Sequence, residues 1–178
     1  AGSAITKINI WVSVGGGGLS SGTIEALEDL QRNNKDSLDF HYHLVEPVEA
    51  ASLHKSLEPG DKDKTITVGP TIQDGARVPE VNEFIPELAK KLIEDGRATL
   101  HKISDADLVA QCPDELIQHQ REGSALAPLA AMRKNNAFAE DNNIFISSGR
   151  NVMAFAKMME LSQSVKEFIK SQIPRSKY

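Results

Sequence analysis

Only one cysteine, Cys112, occurs in the 178 residues. An intrachain disulfide is therefore excluded, and so is any metal centre built from several thiolates. Aromatic residues are scarce at 5%, with Trp11 the single tryptophan. No apolar run approaches the ~20 residues that a membrane-spanning helix needs. Positive charge is also not in excess. Twenty Lys and Arg against 25 Asp and Glu give a net charge of −5. Such a balance provides no global basic field for nucleic acid or anionic lipid, so neither is expected as a partner. Lys7 is followed by strand-like alternation rather than a plain apolar block, so no secretory signal is visible.

What is present is an ordinary globular composition, 40% hydrophobic and 25% charged. The length suits a single α/β domain over residues 1–178, or a piece of a longer protein. Ile8, Ile10, Val12 and Val14 alternate with Asn9, Trp11 and Ser13, which predicts a strand. Gly15–Gly18 end it, Ser20 or Ser21 can cap a helix, and Ile24, Leu27 and Leu30 form its stripe, with Glu25, Glu28 and Asp29 in its first turns. Residues 39–45 read as a second strand, completing a β-α-β unit. Further on, the pattern predicts a short helix over 48–57, a polar loop over 58–64 and a short strand over 65–69. A helix over 79–93 carries Pro86 inside it, and a third core strand covers 98–103. A helix starts at 105–110, and 113–135 reads as mostly helical with breaks at Gly123 and Pro128. A last strand at 142–149 precedes a long helix over 152–173. Strands alternating with helices predict a three-layer α/β fold, Rossmann-like, with a mainly parallel sheet.

Four glycines after a strand allow a sharp turn and leave amide N–H groups bare for an anion at the helix N-terminus. No Gly-x-Gly-x-x-Gly placement fits residues 15–22. The P-loop spacing from Gly17 to Gly22 puts Thr23 where lysine is obligatory. Glu46, ending the second strand, is a candidate for a ribose hydroxyl, with an ordinary surface carboxylate as the alternative. His41 and His43 share one strand face and can share a metal, against the plainer reading of half-buried histidines. Cys112 with His119 is a weak thiol–imidazole candidate against an inert thiol. Asp61 and Asp63 read as a solvated charge run, Met153, Met158 and Met159 as core, and the basic end from Lys157 to Lys177 as a solvated helix face.

The stretch from Ile8 to Pro47 resembles the opening of the DXD-type glycosyltransferases related to the large clostridial glucosylating toxins and bacterial effector sugar transferases. Trp11 matches that family's strand tryptophan, and Gly15 and Gly16 its glycines. Asn34, Lys35 and Asp36 match its Asn-Pro-Asp, and residues 42–44 its second strand. The resemblance implies a nucleotide-sugar-binding domain, transferring a hexose or N-acetylhexosamine from UDP to an acceptor, which can be a protein. Trp11 would stack on the base, while Ser13, Gly15, Gly16, Gly17, Gly18 and Arg150 would face the nucleotide and its phosphates. Ser147 and Ser148 echo the family's Ala-Ser, but Gly149 and Arg150 stand where its aspartate belongs, and no Asp-x-Asp follows Leu161. Mn²⁺ or Mg²⁺ is thus expected only if a metal site exists, and the residues assign none. Weak or absent transferase activity follows. The setting implied is cytoplasmic or that of a secreted toxin or effector. A non-catalytic interaction module is the alternative class. A fainter resemblance, through Gly149 and Asn151, is to nucleoside hydrolases, whose Ca²⁺-binding aspartates have no counterpart after the first strand here.

Overall fold

The structure, a computed structural model, describes residues 6–33, 38–60, 64–117, 121–137 and 142–147. β1 (Thr6–Ser13) and β2 (Leu38–Pro47) form where β-branched and aromatic residues recur at every second position, and α1 (Gly18–Asn33) joins them. A 3₁₀ turn (Val48–Ala50), α2 (Ser52–Ser56) and a second 3₁₀ turn (Asp74–Ala76) follow. The chain continues through α3 (Phe84–Glu94), β3 (Ala98–Ile103), α4 (Asp105–Gln111), α5 (Pro113–Ile117), α6 (Gly123–Lys134) and β4 (Asn143–Phe145). The four strands form one all-parallel sheet in the order β3-β2-β1-β4, so the α/β, Rossmann-like class is what the chain adopts.

Parallel sheets are covered on both faces by their crossover helices. One face carries Ile10, Val12, Phe40, Tyr42 and Leu44 against Ile24 of α1 and Ile85, Ala89 and Leu92 of α3. The other carries Trp11, Val45 and Ile103 against Leu108 of α4, Leu116 of α5 and Leu126 and Ala130 of α6. The alternation along β1 thus places Asn9, Trp11 and Ser13 on the α6 side.

Several expected boundaries shift for local reasons. α1 starts at Gly18, so Ser20 and Ser21 lie inside it. Their hydroxyls donate back to the Gly17 and Gly18 carbonyls, at 3.1 and 3.3 Å, rather than capping. Leu30 falls off the buried stripe and is exposed. α3 starts at Phe84 rather than Pro79, because Asn82 Oδ1 accepts the Phe84 and Ile85 N–H groups at 3.1 Å each. Pro86 then sits in the first turn, where its missing N–H has no intrahelical partner to lose. Gly96, at φ +69°, ends the helix, and Arg97 N–H returns to Leu92 O at 2.7 Å. α4 has a full capping box between Ser104 and Asp107. Residues 65–69 form no strand, Gly123 opens α6 instead of breaking it, and Pro128 lies within α6. The predicted helix over 152–173 lies outside the described residues. Among the described residues, no helix is long and apolar enough to cross a membrane.

Candidate functional site

β1 ends at Ser13, and the chain turns through the glycines into α1 at the carboxyl edge of the sheet. β2 and β3 lie to one side of β1, and β4 to the other. The winding direction therefore reverses at β1, where open α/β sheets leave a crevice. A cavity of about 310 Å³ lies there, bordered by Ser13, Gly15, Gly16, Gly17, Gly18 and Leu19. Gly75 and Ala76 of the second 3₁₀ turn close one wall, and Glu122 and Ser124 at the start of α6 another.

The glycines differ in what they do. Gly17 has φ +92°, and a Cβ there would lie 2.7 Å from Ile85 Cγ2. Gly15 has the Gly75 carbonyl oxygen 3.0 Å from the position of a Cβ. These two are small because the loop is pressed onto α3 and the 3₁₀ turn. Asn82 N–H adds a 2.9 Å bond to Gly16 O. Gly16 and Gly18 have nothing within 4 Å of a Cβ position and leave their side of the loop open. Among the described residues, no protein acceptor takes the N–H groups of Gly15 through Ser20, whereas Val14 N–H bonds to Val45 O and Ser21 N–H to Gly17 O. The first turn of α1 holds no acidic residue. A row of unpartnered amides at the positive end of a 16-residue helix, with no carboxylate competing, attracts an anion.

The opposite walls supply acceptors and hydroxyls. Pro128 cannot donate to Ser124 O, its i−4 carbonyl, and the Ser13 hydroxyl donates to that oxygen instead. The Ser124 hydroxyl donates to Glu122 Oε1 at 2.5 Å. A Cβ at Gly75 would collide with Glu122 Oε1 and come 2.7 Å from Ser124 Oγ, so a side chain there would displace these two groups from the cavity wall. Gly123 is needed where α6 begins, since a Cβ there would lie 2.5 Å from the Ile72 carbonyl oxygen. Gly75, Glu122 and Ser124 escape a motif-by-motif reading of the sequence. The available signals were the small-residue run from Gly123 to Ala125 and a proline four residues after Ser124.

Other expected site residues lie elsewhere. Trp11 is 1% exposed. Its ring stacks on His43 at 3.7 Å and 5°, and Nε1–H donates to Asn143 Oδ1 at 2.9 Å. It offers no face to a base, which removes the stacking role. Glu46 is fully buried and turned to α2, accepting Leu53 N–H at 2.6 Å, His54 N–H at 3.0 Å and His54 Nδ1 at 2.6 Å. It holds a helix start, not a ribose. Cys112 is buried beside Arg133, and burial pushes its thiol up to about 12, so it is no nucleophile. Arg150, Asp61, Asp63, His119, Ser148, Gly149 and Asn151 lie outside the described residues.

No protein-family model matches the chain, and no curated protein matches it. Solved structures do. A threonine deaminase from T.th. is 23% identical with a TM-score of 0.62 over 80% of this chain and 49% of its own. Threonine deaminase isoform 2 from Solanum lycopersicum is 24% identical with a TM-score of 0.64, covering 89% and 45%. A pyridoxal 5′-phosphate-dependent aspartate racemase is 22% identical with a TM-score of 0.55, covering 81% and 44%. The chain spans about half the length of these structures and shares their fold. The comparison corrects the glycosyltransferase resemblance, together with its UDP-sugar donor and its toxin or effector setting. A strand, a glycine turn and a helix are common to nucleotide-sugar and cofactor sites alike. These neighbours are amino-acid-converting enzymes by name, and none of them is named as an interaction module or a nucleoside hydrolase.

Proposed function

We propose that the Gly15–Gly18 loop and the N-terminus of α1 bind the phosphate of pyridoxal 5′-phosphate, and that the chain forms the phosphate-holding part of an enzyme acting on small amino acids. One observation carries this reading: a row of unpartnered amides, in a helix with no acid in its first turn, borders a cavity at the sheet's switch point. One neighbour of the same fold is named for that cofactor, which supports pyridoxal 5′-phosphate as the phosphate ester.

The residues fit the group. Gly16 and Gly18 keep the loop open for a tetrahedral phosphate, and α1 adds its dipole. Glu122 contributes a carboxylate to the same cavity, and Ser13 and Ser124 are hydroxyls locked by their own hydrogen bonds. Donors from the loop with an acceptor from Glu122 suit a ligand that carries both a phosphate and a protonatable ring nitrogen. When bound, the cofactor supplies an electron sink for charge developing at an amino acid α-carbon. This chain's part is to seat and orient it. Among the described residues bordering the cavity there is no lysine to serve as a covalent anchor.

The experiment compares pyridoxine 5′-phosphate, which has no aldehyde and cannot form imines with surface lysines, with pyridoxine by calorimetry on the full chain. Binding of the phosphate ester alone is expected, weakened at least tenfold by Gly16→Asp, which sets a carboxylate at the amides. Equal binding of the two vitamers, or an unchanged affinity in Gly16→Asp, refutes the assignment.

A further inference from the structure

The sheet brings together three imidazoles that the cavity does not use. His41 and His43 share a face of β2, and β3, in parallel register, sets Thr99 beside His43 and His101 two residues further on, opposite Val45. His43 Nδ1 lies 2.9 Å from His101 Nε2. The His41 ring centre is 4.8 Å from that of His43, and its Nε2 lies 2.9 Å from Thr99 Oγ1. His43 is held from two further sides, by the stacked Trp11 ring at 3.7 Å and by Asn9 Oδ1, 3.4 Å from Nε2. A groove open over His41 and His43 gives solvent access. Of the charged groups on it, Arg97 is engaged by Glu28 through two bonds of 2.6 and 3.0 Å, while Lys7 and Asp39 stand opposite each other in the β1–β2 register.

We propose that His43 and His101 form a two-imidazole chelate for a divalent transition-metal ion of the Cu²⁺ and Ni²⁺ class, with His41 beside it and water completing the coordination. Among the described residues, no three His, Cys, Asp or Glu side chains converge as a closed metal centre. The site is therefore an open chelate. The 2.9 Å between the facing nitrogens is a hydrogen bond that the metal replaces, and the affinity order of imidazole sites, with Cu²⁺ above Ni²⁺ and Zn²⁺, selects the ion.

Each ring must turn so that its lone pair leaves the line joining the two nitrogens. The proton they share moves to His101 Nδ1, so that both facing nitrogens are free to ligate. With Nε2–H of His43 directed at Asn9, its Nδ1 is already the lone-pair side, the kind of outer contact that orients ligating histidines.

Trp11 is the only tryptophan and stacks on one ligand, so its fluorescence reports binding. The full chain is titrated with CuSO₄, NiCl₂ and ZnCl₂, following fluorescence and heat, and the Cu²⁺ form is examined by electron paramagnetic resonance. Saturable 1:1 quenching is expected, tightest with Cu²⁺, with coupling to at least two imidazole nitrogens. His101→Ala should weaken binding tenfold or more and His101→Cys should restore it, while the double variant His54→Ala, His119→Ala should bind as before. Urea midpoints confirm that each variant is folded. Unchanged affinity in folded His101→Ala, absent nitrogen coupling, or loss of binding in the His54, His119 double variant overturns the proposal.

Discussion

Gly17→Ala should destabilise the chain far more than Gly16→Ala, one residue away in the same loop. At Gly17 the added methyl group would sit 2.7 Å from Ile85 Cγ2 and 2.9 Å from Asn82 Nδ2, and φ is +92°. A left-handed backbone with a side chain costs ~1–2 kcal/mol, and forcing a methyl group into a packed contact costs ~1–3 kcal/mol more. The sum is about 2–5 kcal/mol, a large part of the ~5–15 kcal/mol that holds a domain together. Relief by local movement is blocked. Ile85 is fully buried in the α1–α3 core, and Asn82 is tied to Gly16 O and to the first turn of α3. At Gly16 a methyl group meets nothing within 4 Å, and φ is not positive. There the reduced freedom of the unfolded chain leaves stability unchanged or raises it by up to ~1 kcal/mol. Urea unfolding of the two variants gives the answer. With a slope of ~2 kcal/mol/M, Gly17→Ala should lower the midpoint by about 1–2.5 M and Gly16→Ala should leave it within about 0.5 M. Equal midpoints for the two variants would show that the loop is not pressed onto α3, and with that the packing reason for Gly17 would fail.

Three further outcomes follow from the same interactions. Burial tends to raise the Glu28 carboxyl, but the Arg97 and Tyr42 hydrogen bonds outweigh it and hold it below its usual range. Glu28→Gln should therefore cost about 1–3 kcal/mol in urea unfolding, and less than about 0.5 kcal/mol would show the cluster to be idle. Burial lowers His41, His43 and His101, His43 from 6.5 to about 3. The unfolded chain then binds more protons in acid, so stability is complete above about pH 6.5 and falls as the pH drops toward about 3. His43→Gln should flatten that slope, and an unaltered slope would count against the buried neutral imidazole. The Cys112 thiol, buried and raised to about 12, should react with a thiol-exchange reagent only on unfolding. Rapid labelling of the native chain would contradict that burial.

The alternation around Trp11 and in residues 39–45 was enough to predict parallel α/β layering, because period-2 strands and amphipathic helices are decided by nearby residues. Boundaries escaped where a competing group acted across the chain. Asn82 starts α3, a cap that Pro79 concealed in the sequence. Pro128, expected to break a helix, instead frees the Ser124 carbonyl for Ser13, and that exchange is visible only once β1 and α6 lie side by side. Gly75 and Glu122 are 47 residues apart in sequence and become one wall only because α6 approaches the 3₁₀ turn at Gly75.

Trp11 shows why residue type alone misdirected the reading of the site. Its indole is a large stacking surface wherever it is exposed, and a strand tryptophan just before a glycine loop invites a base. In a parallel strand the ligand meets only the carboxyl end. Asn9, Trp11 and Ser13 share a face, and only Ser13, the last residue of β1, reaches the cavity. Trp11, two residues earlier, lies under α6 with His43 against its ring. The histidines one layer below the cavity are thereby left to chemistry of their own. The same period of two therefore divides β1 into a base that packs and a tip that borders the cavity, beside the glycines to which the proposed reading assigns the phosphate.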